Sequence, residues 1–102
     1  MRIAATAVVL CSWFGISVAS ADDLKDYGEY LAGECTTCHR IDGAESEIPS
    51  ITGWDTDTFT ETLGYYKSGL RKNPAMESVA KSLDDEQVKA LAAYFGSIKV
   101  DD

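Results

Sequence analysis

The chain has 102 residues, 9 basic against 17 acidic side chains, a formal charge of −8 and 45% hydrophobic residues. That length is one domain, and one this small buries too little apolar surface to be very stable alone. The acidic balance excludes nucleic acid as a partner, because phosphate binding needs a basic footprint.

Met1 to Ala21 reads as a secretory signal peptide. Arg2 supplies the positive start, Ile3 to Leu10 continued through Trp13, Phe14, Ile16 and Val18 the apolar stretch, and Ala19-Ser20-Ala21 the small-residue cleavage site. The apolar stretch is short for a span of roughly 20 residues. Cleavage is therefore expected over a retained anchor, with no stable membrane insertion afterwards. Cys11 does not fit a lipoprotein site, since bulky Leu10 precedes it. Removal of 21 residues from 102 leaves residues 22–102, 81 residues with 8 basic against 17 acidic side chains and a charge of −9. The expected compartment is the bacterial periplasm.

Asp23 to Ala32 predicts a first helix, with Leu24, Tyr27, Tyr30 and Leu31 at helical spacing and Asp22 or Asp23 as the cap. At its end stands Cys35-Thr36-Thr37-Cys38-His39. This C-x-x-C-H pentapeptide is the attachment signature of a c-type haem. Two thiols three positions apart can each form a thioether to a haem vinyl group, and the next residue, His39, can coordinate the iron. C-x-x-C also serves thioredoxin-like and zinc sites, and a plain Cys35–Cys38 disulfide is the structural alternative. No βαβ pattern surrounds the motif, and a structural zinc site needs four Cys or His ligands where only three survive processing. An exported chain meets the setting in which c-type haem is attached.

Residues 40–53 predict a loop punctuated by Gly43, Pro49 and Gly53. Asp55 caps a second helix, Thr56 to Lys67, with Phe59, Leu63 and Tyr66 on one side; Ser68-Gly69 ends it. A loop through Asn73-Pro74-Ala75-Met76 precedes a short helix, Glu77 to Lys81. Ser82 or Asp84 then caps a final helix to Ile98, and Asp84 with Gln87 forms a capping box. Its apolar stripe is Val88, Leu91, Ala92, Phe95 and Ile98. No segment alternates enough for a strand, so the expected class is all-α.

An iron held by His39 needs a second axial donor. The chain has one His and two Met residues, and Met1 leaves with the leader, so Met76 is the remaining thioether. The competing role of Met76 is to fill core space. His/Met ligation raises the haem potential and leaves no open iron position.

These features together resemble a class I cytochrome c over essentially the whole mature chain. Ile48-Pro49-Ser50-Ile51-x-Gly53, Tyr66-Lys67-Ser68-Gly69 and Arg71-Lys72-Asn73-Pro74-x-Met76 resemble one branch, the cytochrome subunit of flavocytochrome c sulfide dehydrogenase. The resemblance implies three to four helices wrapped around one covalent haem c. It implies thioethers from Cys35 and Cys38 and iron ligation by His39 and Met76. It also implies a Pro49 carbonyl bonded to the His39 ring, and Ile51 packed on the haem. Gly28 would let the first helix cross the last against Tyr94 or Leu91, and Arg40 would sit exposed. Trp54, Tyr65 and Tyr66 are candidate donors to haem propionates. Lys67, Arg71 and Lys72 form a small basic group that could hold a propionate or meet an acidic partner; a solvated face is the alternative.

The expected function is periplasmic electron transfer, with redox proteins as partners and a flavoprotein or other dehydrogenase of sulfur-compound oxidation as donor. The alternative is a haem enzyme or small-ligand sensor with a displaceable Met76. Binding of carbon monoxide separates the two.

Overall fold

The computed structural model describes residues 20–42 and 48–99, which form four helices. These are α1 (Ala21–Leu31), α2 (Thr56–Ser68), α3 (Pro74–Lys81) and α4 (Asp85–Ser97). No strand occurs among the described residues, and the expected all-α class holds. Most of the expected leader, residues 1–19, lies outside the described residues, as does the loop segment 43–47.

Helix α1 starts two residues before the expected Asp23, and its cap is neither Asp22 nor Asp23. Ser20 Oγ accepts the Asp23 amide at 3.2 Å, and the Asp23 carboxylate accepts the Ser20 amide at 3.4 Å. This reciprocal box satisfies two amides that a helix start leaves open. Asp55 caps α2 as expected, and Gly69 closes it at φ 82°. Asp84 and Gln87 form the expected box on α4, with bonds of 2.8 and 3.0 Å.

Helix α3 departs more from expectation. It begins at Pro74, with Asn73 as its cap, where a loop is expected through Met76. A residue before proline is driven to extended backbone, and proline suits the first helical position. Asn73 at φ −161°, ψ 113° followed by Pro74 meets both conditions.

The core is built on α4, whose Val88, Ala90, Leu91, Ala92 and Phe95 are buried. Phe95 stacks on Phe59 of α2 at 5.8 Å, and Trp54 meets Phe59 edge-on at 6.3 Å. Helix α1 crosses the other side of α4 at Gly28. A Cβ there would run into the Ala90 carbonyl and lie 2.7 Å from Tyr94 Cβ. Tyr94 is thus one partner of the crossing, with the Ala90 backbone in place of Leu91. Helix α2 packs on both α3 and α4, so α4 is the element that α1 and α2 share.

Candidate functional site

Beyond α1 the chain keeps turning through the C-x-x-C-H motif. The amides of Cys35 and Thr36 donate to Ala32 O, and those of Cys38 and His39 both donate to Cys35 O, at 3.1 and 2.8 Å. The threonine hydroxyls of the motif return to Gly33 O. These local bonds bind the pentapeptide into one compact turn. Cys35 is half-buried, Cys38 is exposed, and neither is in a disulfide. Burial pushes the Cys35 thiol up from its ordinary pKa, and the neighbouring Glu34 carboxylate adds to the rise.

His39 is only 8% exposed. Its Nδ1 lies 2.7 Å from the Pro49 carbonyl oxygen. A carbonyl only accepts, so Nδ1 carries a proton, and in the neutral ring the lone pair lies on Nε2. The Pro49 segment is in turn fastened to α4, because the Gly53 amide donates to Phe95 O at 2.9 Å. Close packing is required at this seam: a Cβ on Gly96 would lie 2.9 Å from Trp54 O. Gly96 was not among the expected site-supporting residues. A glycine inside an apolar helical stripe is its only sequence signal.

His39 and Pro49 form part of the wall of a partly open cavity of about 260 Å³. The wall is predominantly apolar, built from Ile51 and Trp54, Phe59 and Leu63 of α2, Val79 of α3 and Leu91 of α4. Cys35 and Cys38 line it, and so do Tyr66, Arg71 and Met76. Cys35, Cys38, His39, Pro49, Ile51, Trp54, Tyr66, Arg71 and Met76 therefore meet at one cavity, whereas Tyr65, Lys67 and Lys72 do not line it. Met76 reaches it from the first turn of α3 and is half-buried. Asn73, the cap of that turn, also lines the cavity and was not anticipated; an Asn-Pro step before a helix is its signal.

Other expectations change. Tyr65 is 41% exposed and lies outside the cavity lining. Two members of the basic group make separate contacts. Lys67 Nζ donates to Leu83 O at 2.8 Å, tying α2 to the turn before α4. Arg71 lies over the Tyr66 ring, 5.2 Å from its centroid, a cation–π geometry at the cavity rim. Arg40 is exposed as expected and is paired with Asp42 at 2.6 Å, which pushes its pKa up.

The donor set fits a c-type haem: two thiols, an imidazole with one nitrogen already bonded, and a thioether, around an apolar cavity. It does not suit a bare metal ion. Among the described residues no three His, Cys, Asp or Glu side chains converge in a way that would hold one.

Comparison with known proteins agrees. A family model described as "Cytochrome C oxidase, cbb3-type, subunit III" matches residues 18–95. The chain is 36% identical over 72 residues to the "Cytochrome subunit of sulfide dehydrogenase" of Chlorobaculum tepidum, covering 70% of this chain and 66% of that one. It is 31% identical over 107 residues to the "Thiosulfate dehydrogenase electron acceptor" of Stutzerimonas stutzeri, covering 98% of this chain and 48% of that one. It is 33% identical over 86 residues to a "Cytochrome c-553" of Helicobacter pylori strain J99, covering 81% and 85%. The chain thus spans about half the length of the Stutzerimonas protein and just under two thirds of the Chlorobaculum one.

Proposed function

The chain belongs to the cytochrome c family and carries haem c for electron transfer, and on that premise we propose that it is a periplasmic carrier with one His/Met-ligated haem. Cys35 and Cys38 form the two thioethers, His39 supplies one axial nitrogen and Met76 the axial sulfur. When bound, the haem supplies a one-electron iron couple. The protein's part is to hold it and exclude water. Pro49 holds the His39 ring through Nδ1, which fixes its orientation and tautomer. The apolar wall keeps the site at low dielectric, and Arg71 at the rim is placed to meet a propionate.

The observation that carries this reading is the convergence of Cys35, Cys38 and His39 from one segment and Met76 from another on one apolar cavity. Electron carrying, rather than catalysis, suits a site in which both axial positions are filled. The names of the Chlorobaculum and Stutzerimonas relatives support a place in sulfur-compound oxidation, with a dehydrogenase as electron donor; a flavoprotein donor rests on the resemblance of the sequence motifs. The periplasm follows from the leader, Met1 to Ala21. No helix among the described residues is long and apolar enough to cross a membrane.

The test is spectroscopic. Oxidised protein is expected to show the weak far-red sulfur-to-iron band, and ferrous protein to resist carbon monoxide. Met76→Ala should abolish the band and admit carbon monoxide. Rapid carbon monoxide binding by the wild type would instead favour a haem enzyme or ligand sensor.

A further inference from the structure

The turn that presents Met76 is secured from both sides. Asn73 Oδ1 accepts the amide of Met76 itself at 3.1 Å. Glu77 Oε2 accepts the amide of Asn73 at 3.3 Å. The other caps fall elsewhere: Ser20 on Asp23, Asp55 on Thr58 and Asp84 on Gln87, none of which lines the cavity. Among the described helices, only in α3 does the capped amide belong to a residue facing the site.

Helix α3 has 8 residues, below the length at which a helix holds itself together in water. Its first turn therefore depends on its cap and on packing. Pro74 at the first helical position has no amide to contribute. The amide of Met76 is thus one of the few donors by which the turn can be held, and Asn73 holds it.

We propose that Asn73 and Glu77 are positioning residues for the Met76 thioether: together they latch the first turn of α3 and set how often the sulfur leaves the iron. The proposal rests on the His39/Met76 ligation above. Neither residue needs to touch the iron. The latch acts on the backbone of Met76, so opening it lets the sulfur withdraw without unfolding the domain.

The experiment uses ferrous holoprotein and measures the rate of carbon monoxide binding, with the far-red band of the oxidised form as a second readout. Loss of an N-cap typically shifts the balance of closed and open turn about fivefold. Asn73→Ala should speed carbon monoxide binding about fivefold and weaken the band. Asn73→Ser, which keeps a capping oxygen, should restore both. Glu77→Ala should speed binding less, and Glu77→Gln should stay near wild type. Asp84→Ala removes a cap of the same kind from α4 and should leave the rate unchanged.

A wild-type rate in Asn73→Ala, alongside fast binding in Met76→Ala, would overturn the latch while leaving the ligand assignment standing. Equal acceleration by Asp84→Ala would also overturn it, reducing the effect to general stability. A wild-type rate in Met76→Ala itself would remove the ligand assignment and the latch with it. If Asn73→Ala does not accumulate, Asn73→Ser and the Glu77 pair carry the comparison: equal rates in Glu77→Ala and Glu77→Gln overturn the proposal.

Discussion

His39 Nδ1 and the Pro49 carbonyl oxygen are 2.7 Å apart, although the residues are ten positions apart in sequence. No substitution at Pro49 deletes the acceptor, because it is a backbone carbonyl. From that side the bond can only be loosened by freeing the backbone that aims it. Pro49→Gly releases the fixed φ of proline and is expected to cost about 0.4–1 kcal/mol through the unfolded chain. A weaker bond leaves the imidazole less electron-donating, so the reduction potential should rise, by less than the 59 mV that a tenfold change represents for a one-electron couple. Potentiometry on the two proteins checks the sign; a fall in potential would count against this role for Pro49.

Gly28→Ala sets two opposed effects against each other. Alanine in a helix interior gains about 0.5–1 kcal/mol over glycine. Here the added Cβ meets the Ala90 backbone and Tyr94 Cβ, neither of which can swing aside. Overpacking of this kind costs typically about 1–3 kcal/mol. The clash should win, lowering the melting temperature by several degrees, at about 4–8 °C per kcal/mol for a domain of this size. A thermal melt that is unchanged or higher would show that the crossing is looser than the structure has it.

The basic residues should separate by assay. Lys67→Met removes the bond to Leu83 O and should cost about 1 kcal/mol of stability. It should leave partner kinetics largely alone. Lys72→Glu should slow electron transfer from a physiological donor at low salt and recover as salt rises, with little change in stability. Arg71→Gln should shift the potential if the guanidinium meets a propionate. Stopped-flow kinetics over a salt series, beside denaturant titrations, tell the three apart; parallel behaviour would restore the single patch expected from sequence.

Cys35 gives a pH prediction for the protein before haem attachment. Burial and Glu34 raise its thiol pKa in the fold. The folded state therefore keeps a proton that the unfolded chain gives up. The resulting stability is complete below the unfolded thiol value, about 8.5, and is lost as pH rises through the higher folded value. Haem-free protein should unfold more readily above about pH 9, where Cys35→Ala should not show this loss. Alkylation followed by mass spectrometry should find exposed Cys38 labelled before Cys35.

Much of this was open to reading in the chain. Periodicity marks α2 and α4 because each buries a single stripe, and Asp55, Asp84 and Gln87 announce their starts. The C-x-x-C-H motif and the shortage of other donors single out His39 and Met76 before any coordinates. What escapes is information that depends on two distant segments at once. Asn73-Pro74 reads equally as a turn or a helix start, and only packing of α3 on α2 selects the helix. Lys67 looks like a surface charge because nothing near it in sequence shows that the Leu83 carbonyl will lie within reach. Gly96 acquires a purpose only when the Trp54 carbonyl arrives against it.

The Gly53 amide that donates to Phe95 O has a consequence for what each half of the chain supplies. It joins positions 42 residues apart, and contacts so distant form late in folding. On the function proposed above, Cys35 and Cys38 need only the N-terminal half of the chain for haem attachment, whereas the tether on His39 depends on a segment fastened to the last helix. Shortening the chain before α4 is then expected to spare the thioethers and alter the redox character.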